Sequence, residues 1–324
     1  MERGKTNCTY DSPPNITTLF TDVTERQIIL LSICSAFFVA TVVLFIVESV
    51  LFVQRQESKT SARHLIYIQG TFAAYSLMSF LGVVSPLSSL MCEFVFSVYF
   101  SFTLKEFVDL MLHILENKGV DEEQESDCPQ TVSLAAPPLA CCFICICPHV
   151  KINSKFFKYV KIGVYQVVIL RPLCTFIEAV LWTNGYYGFA KEDFGIELLE
   201  ILSAVAVLVA MYFMKLLYNG HVELFKPHYI TMKFYCIQIV MIIVTIQQAI
   251  FHLLVEKGVI PCRDPFNSAV RGSVIHHVLV LPEMLLLSIF SSGICRKWSQ
   301  QTQRDSTSLA KETTPLLVDQ PFFE

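Results

Sequence analysis

The chain has 324 residues, is 53% hydrophobic and only 16% charged, with a mean hydropathy of +0.53. A soluble domain of this size cannot hide that much apolar surface, so the composition excludes an ordinary globular enzyme and points to an all-α polytopic membrane protein. The net charge of -4 carries no signal for nucleic acid, and the 12 cysteines lie mostly in apolar runs or one central cluster, which argues against a disulfide-rich secreted fold.

Residues 1–27 form a polar tail without a signal-peptide pattern. It holds two glycosylation sequons, at Asn7 and Asn15, which favour an extracellular or lumenal N-terminus. Seven apolar runs follow, over Ile28–Val53, Leu65–Ser85, Cys92–Ile114, Tyr159–Trp182, Ile196–Tyr218, Phe234–Val255 and Val274–Ile294. Each is near the roughly 20 residues a helix needs to cross the hydrocarbon. The gaps and tails are short, so residues 28–294 are expected to form one transmembrane domain with no separate globular domain.

Charge sets the expected orientation. Arg55, Lys59 and Arg63 follow span 1, and Lys118, Lys151, Lys155 and Lys158 lie in the central gap. Lys215, Lys226 and Lys233 surround the gap after span 5, and Arg296-Lys297 open the C-terminal tail. The opposite set is poorer, although the gap 256–273 dissents with Lys257, Arg263 and Arg271. The balance places the N-terminus outside, the C-terminus in the cytosol and the central gap, about residues 116–157, in the cytosol. No internal repeat marks an inverted-repeat transporter.

That central gap contains Cys141, Cys142, Cys145 and Cys147 among Phe143, Ile144 and Ile146. Zinc sites want paired, spaced ligands, and a disulfide cluster does not suit a reducing cytosol. S-acylation fits best, because the thiols are juxtamembrane and their neighbours favour the interface. An unmodified, partly buried apolar loop is the alternative. The acidic run Asp121–Glu125 reads as a solvated patch.

The run Pro137-Pro138-Leu139-Ala140-Cys141-Cys142-Phe143-Ile144-Cys145-Ile146-Cys147-Pro148 resembles the cysteine-rich cytosolic loop of the organic solute transporter alpha subunit family. Met232-Lys233-Phe234 leading to Gln238, Gln247-Gln248-Ala249-Ile250-Phe251, and Ile260-Pro261-Cys262 followed by a span with Glu283 are similar to the same family, as is Phe45-Ile46-Val47-Glu48. The resemblance implies seven spans with an outside N-terminus and a heteromer with a single-span beta subunit. It also implies facilitated, sodium-independent, bidirectional movement of bile acids, steroid conjugates and similar amphipathic anions at the plasma membrane. A sister group of seven-span proteins shares the fold without established transport. The competing readings are a seven-span receptor, which lacks an Asp-Arg-Tyr-like triplet and an Asn-Pro-x-x-Tyr run here, and an acylated scaffold or trafficking protein.

Ionisable groups in the hydrocarbon cost at least about 2.5–3.5 kcal/mol on insertion scales, so those present should face protein or water. Lys105, Asp109 and His113 recur every four residues beside Glu106 in span 3. Arg171 lies near the middle of span 4, before Pro172 and seven residues ahead of Glu178. Glu283 lies near the middle of span 7 beside Pro282, and Gln238, Thr245, Gln248 and His252 share a region of one face in span 6. The functional expectation is a polar substrate path through Lys105, Glu106, Asp109, Arg171, Gln238, Gln248 and Glu283, with Arg171 paired to Glu283 and a cation attracting the substrate anion. The plainer expectation is an intrahelical Lys105–Asp109 ion pair and glutamines that join helices by hydrogen bonds. His252, His276 and His277 are expected to be solvated at the outer interface.

Cys92 and Cys262 could pair across the outer face, with Cys8 as a competitor, while Cys34, Cys174 and Cys236 read as apolar fillers. Residues 295–324 are expected to be a disordered cytosolic tail. Glu312 with Leu316 and Leu317 in it fits an acidic dileucine signal for cycling through endosomes. No phosphate loop, nucleophile elbow or metalloprotease motif is present, so no enzyme chemistry, metal or cofactor is expected beyond covalent S-acyl groups.

Overall fold

In hydrocarbon every backbone amide must find a partner within the chain, and a helix does this within each span. The computed structural model describes residues 25–55, 58–118, 131–134, 149–183, 194–225, 230–261 and 268–312. Its long helices are α1 (Glu25–Arg55), α2 (Lys59–Val84), α3 (Ser89–Asn117), α4 (Ser154–Thr183), α5 (Phe194–Gly220), α6 (Ile230–Glu256) and α7 (Ser268–Glu312). All seven are long and apolar enough to cross a membrane. They run past the hydropathy boundaries because charged end residues such as Lys59 and Lys155 are helical without being apolar. The Ser58 side chain accepts a hydrogen bond from the Ser61 amide at 3.5 Å to open α2. Pro86 then starts the 3-10 turn Pro86–Ser88 that separates α2 from α3.

α3 is the centre of the bundle. Leu104, Phe107, Val108 and Met111 are fully buried, and the helix packs between α2 and α4. α4 packs on α5, whereas α7 packs on α1, α2 and α6. The helix α6 makes its close packing with α7, and it touches α3 and α5 through ring contacts of Phe234 with Phe107 and Tyr218. Large apolar side chains such as Ile169 and Phe176 on α4 and Ile242 and Ile246 on α6 are exposed, as a lipid-facing surface requires.

Two features differ from the sequence expectation. The central gap contains an antiparallel pair, β1 (Thr131–Ser133) and β2 (His149–Lys151), with Val132 opposite Val150. It docks on α5: Val132 is buried, the Tyr212 hydroxyl donates to the Leu134 carbonyl at 2.9 Å, and a Cβ on Gly220 would lie 2.9 Å from Val132. This end of the bundle is called the hairpin face below. Second, α7 continues to Glu312, where a disordered tail from 295 was expected. Polarity alone does not stop a helix, and no proline or glycine interrupts residues 294–314. The helix is described as far as Glu312, three residues before Pro315. Asn7, Asn15, the cysteines at 141, 142, 145 and 147, Cys262, Leu316 and Leu317 lie outside the described residues.

Gly163 sets the approach of α4 to α5, because a Cβ there would collide with the Phe213 ring. Gly163→Leu is expected to abolish a monodisperse peak in size-exclusion chromatography of the detergent-solubilised protein. Adding Phe213→Ala is expected to restore much of it by reopening the space.

Candidate functional site

Two groups of charged side chains among the described residues bear on the expected path. The first joins α2, α3 and α4 toward the hairpin face. Lys105 Nζ sits 2.7 Å from Asp109 Oδ2 and 3.4 Å from Glu106 Oε1. Glu106 also meets His64 Nδ1 of α2 at 2.6 Å. The Tyr165 hydroxyl of α4 donates to Asp109 Oδ1, and its ring lies 5.5 Å from Lys105 Nζ. His113 does not join this network; it contacts Asn117 at 3.2 Å. His64 and Tyr165 escaped the sequence reading, since no periodicity within one helix indicates a partner on another.

The second group surrounds Arg171 of α4. Its guanidinium stacks over the Phe100 ring, 5.2 Å from the centroid, at a narrow cleft walled by Phe96 and Phe100 of α3 and Val240, Met241, Val244 and Thr245 of α6. Among the described residues the guanidinium has no ion-pair partner; Glu178 and Tyr75 lie within electrostatic reach. The expected pairing with Glu283 is not formed. The two residues share a depth, but α3 and α2 stand between α4 and α7. Glu283 instead accepts a hydrogen bond from Gln247 of α6. Gln248 of α6 reaches Glu93 of α3 at a long 3.5 Å, at the end of the cleft away from the hairpin face. Gln238 is half-buried and lies one turn from Met241 along the same α6 stripe as Thr245 and Gln248.

Among the described residues the arrangement is an apolar cleft with one cation and the Thr245 hydroxyl on its wall, with Gln238 and Gln248 farther along the same α6 stripe, and it offers no nucleophile–base pair. The profile of the family described as "Organic solute transporter Ostalpha" matches residues 30–294. The chain belongs to this family. The zebrafish (Danio rerio) organic solute transporter subunit alpha is 25% identical over 257 residues, covering 78% of this chain and 78% of that protein. The subunit alpha of the skate Leucoraja erinaceus is 23% identical over 290 residues, covering 88% of this chain and 81% of that protein. A transmembrane protein 184 homolog of Dictyostelium discoideum is 28% identical over 159 residues, which is 48% of this chain and 31% of that protein. No solved structure matches. The family is one of solute transporter subunits and not of enzymes, and the chain is a multi-pass membrane protein.

Three further placements complete this family member. His276 and His277 are buried, with the His277 ring only 2% exposed as a residue, in place of the expected solvation. The cause is local: α7 presses against α2 at Gly82, where a Cβ would lie 2.6 Å from the His277 ring. Cys34, Cys92, Cys174 and Cys236 are buried free thiols, and Cys262, expected to face Cys92, lies outside the described residues. Lys233 is inside α6 and not in the preceding gap, with Nζ 5.1 Å from the Phe52 ring centroid of α1. Among the described residues no group of three or more His, Cys, Asp or Glu could hold a metal ion.

Proposed function

We propose that the chain is the alpha-type subunit of a facilitative carrier for amphipathic organic anions, bile acids and steroid conjugates among them, working with a single-span beta-type partner at the plasma membrane. The observation that carries this reading is Arg171: a cation without an ion-pair partner among the described residues, held on an aromatic face in an apolar cleft. A desolvated guanidinium gains most from a planar carboxylate or sulfate, which it meets through paired N–H donors. The sterol body then lies along the exposed apolar side chains of α4 and α6. Movement follows the substrate gradient in either direction. The word "subunit" in the names of the zebrafish and skate relatives supports the partner.

The test is flux of a labelled bile acid and a labelled steroid sulfate in cells expressing the chain with and without a beta-type partner. Saturable, sodium-independent uptake and efflux are expected with the partner present. Absence of both, with the complex at the cell surface, overturns the reading.

The proposed orientation puts residues 1–27 outside and the hairpin face in the cytosol. Glycosidase treatment is then expected to sharpen the band of the mature protein, and Asn7→Gln with Asn15→Gln to remove that shift. Hydroxylamine-sensitive acyl labelling is expected, and changing Cys141, Cys142, Cys145 and Cys147 to serine should abolish it.

A further inference from the structure

Lys215 is a cation outside both the Arg171 cleft and the Lys105 network. It lies in α5, five residues before the helix ends at Gly220, and so within the span near the hairpin face. Three rings surround its ammonium: the centroids of Tyr218, Phe234 and Tyr235 are 5.6, 5.2 and 4.9 Å from Nζ. Its one hydrogen bond among the described residues goes to the Tyr235 hydroxyl at 3.5 Å, and no carboxylate there pairs with it. Ring faces hold a cation in place without neutralising it, and an ammonium has three donors. At least two of them remain for another acceptor.

The position of this cage relates it to the cleft. Phe234, Gln238, Met241, Thr245 and Gln248 follow one another at spacings of three and four, so they form one stripe along α6. Met241 and Thr245 wall the cleft at Arg171, whereas Phe234 and its neighbour Tyr235 form the Lys215 cage. Eleven residues of helix separate Phe234 from Thr245, a rise of about 16 Å. Gln238 lies between, with an amide that can donate to an anion in transit.

We infer that Lys215 is a second anion-binding station, which receives the carboxylate or sulfate of the substrate at the hairpin-face end of the α6 stripe. This rests on the proposed transport of amphipathic anions through the Arg171 cleft and adds a sided step to it. A substrate loading from the hairpin face meets Lys215 first. One loading from the opposite face meets Arg171 first, so its apparent affinity does not depend on Lys215.

The test is sided kinetics in sealed vesicles of the full chain with its partner, sorted by the accessibility of a tag after Glu324, using a labelled steroid sulfate. Lys215→Met keeps the alkyl stem against the rings and removes the charge. It is expected to raise KM about tenfold for substrate added at the hairpin face and to leave KM from the other face within about twofold. Lys215→Arg is expected to restore most of the hairpin-face affinity. A purely structural role of the cage would lower the amount of folded carrier and shift both directions alike. Equal KM changes from both faces, or no change from either, overturns the second station while leaving Arg171 transport standing. Absence of saturable flux in the unmodified complex overturns both.

Discussion

Arg171→Glu is expected to reduce anion flux by at least about 100-fold, with the complex still at the cell surface. A hundredfold loss corresponds to about 2.7 kcal/mol, within the range for removing a charge-assisted hydrogen-bonded contact. The substitution also puts a carboxylate into a region that already holds Glu178 and, across the cleft end, Glu93. The anion is then repelled where it was held. Arg171→Lys keeps a point charge but loses the planar fork and the stacking on Phe100, so about a tenfold rise in KM with kcat nearly kept is the expected intermediate result. Flux, KM and surface biotinylation measured together separate lost binding from lost folding. Normal flux of the charge-reversed protein at normal surface level would remove Arg171 from the substrate path.

The position of Arg171 was readable from sequence, and its surroundings were not. Hydropathy measures whether twenty or so residues suit hydrocarbon, so the seven helices and the depth of Arg171 follow from a one-dimensional pattern. Which way Arg171 points needs the rotation of α4, and a span that is apolar nearly all round gives almost no amphipathic signal to read it from. Common depth therefore suggested Glu283 as partner, while the packing order of the helices placed Phe100 there. The same limit hid His64–Glu106 and Tyr165–Asp109, which join residues 42 and 56 positions apart. Gln247 was passed over for its neighbour Gln248, although adjacent helix positions point about 100° apart and only Gln247 reaches Glu283. Gly82 and Gly163 carried a usable signal: a glycine inside an apolar span marks close approach, here of His277 and Phe213. The three-residue strands at 131–133 and 149–151 carry too few side chains for any alternation to register.

Lys105→Met is expected to give a large loss of stability. Lys105 lies between two carboxylates, Asp109 at 2.7 Å and Glu106 at 3.4 Å, and all three side chains are mostly buried. Removing the cation leaves two like charges one turn apart with one fewer donor each. Removing the cation from this part-buried, hydrogen-bonded charge group costs about 1.5–3 kcal/mol, which is read as a clear fall in melting temperature and in yield of the solubilised protein. The loss comes from stranded charge and not from lost packing, since methionine fills nearly the same volume. Removing the stranded group should therefore recover it. Lys105→Met with Asp109→Leu still strands the Tyr165 hydroxyl, whose acceptor is gone, at about 1–3 kcal/mol. Adding Tyr165→Phe removes that last orphan and is expected to bring the melting temperature back near its starting value, with Glu106 kept on His64. The triple variant also decides what the network does. Lys105 has its charge committed to two carboxylates, whereas Arg171 does not. Flux in the triple variant is accordingly expected to stay within about twofold of the unmodified complex. A refolded triple variant with lost flux would instead place Lys105 on the substrate path, and the cleft would then have to extend from Arg171 to the far side of α3.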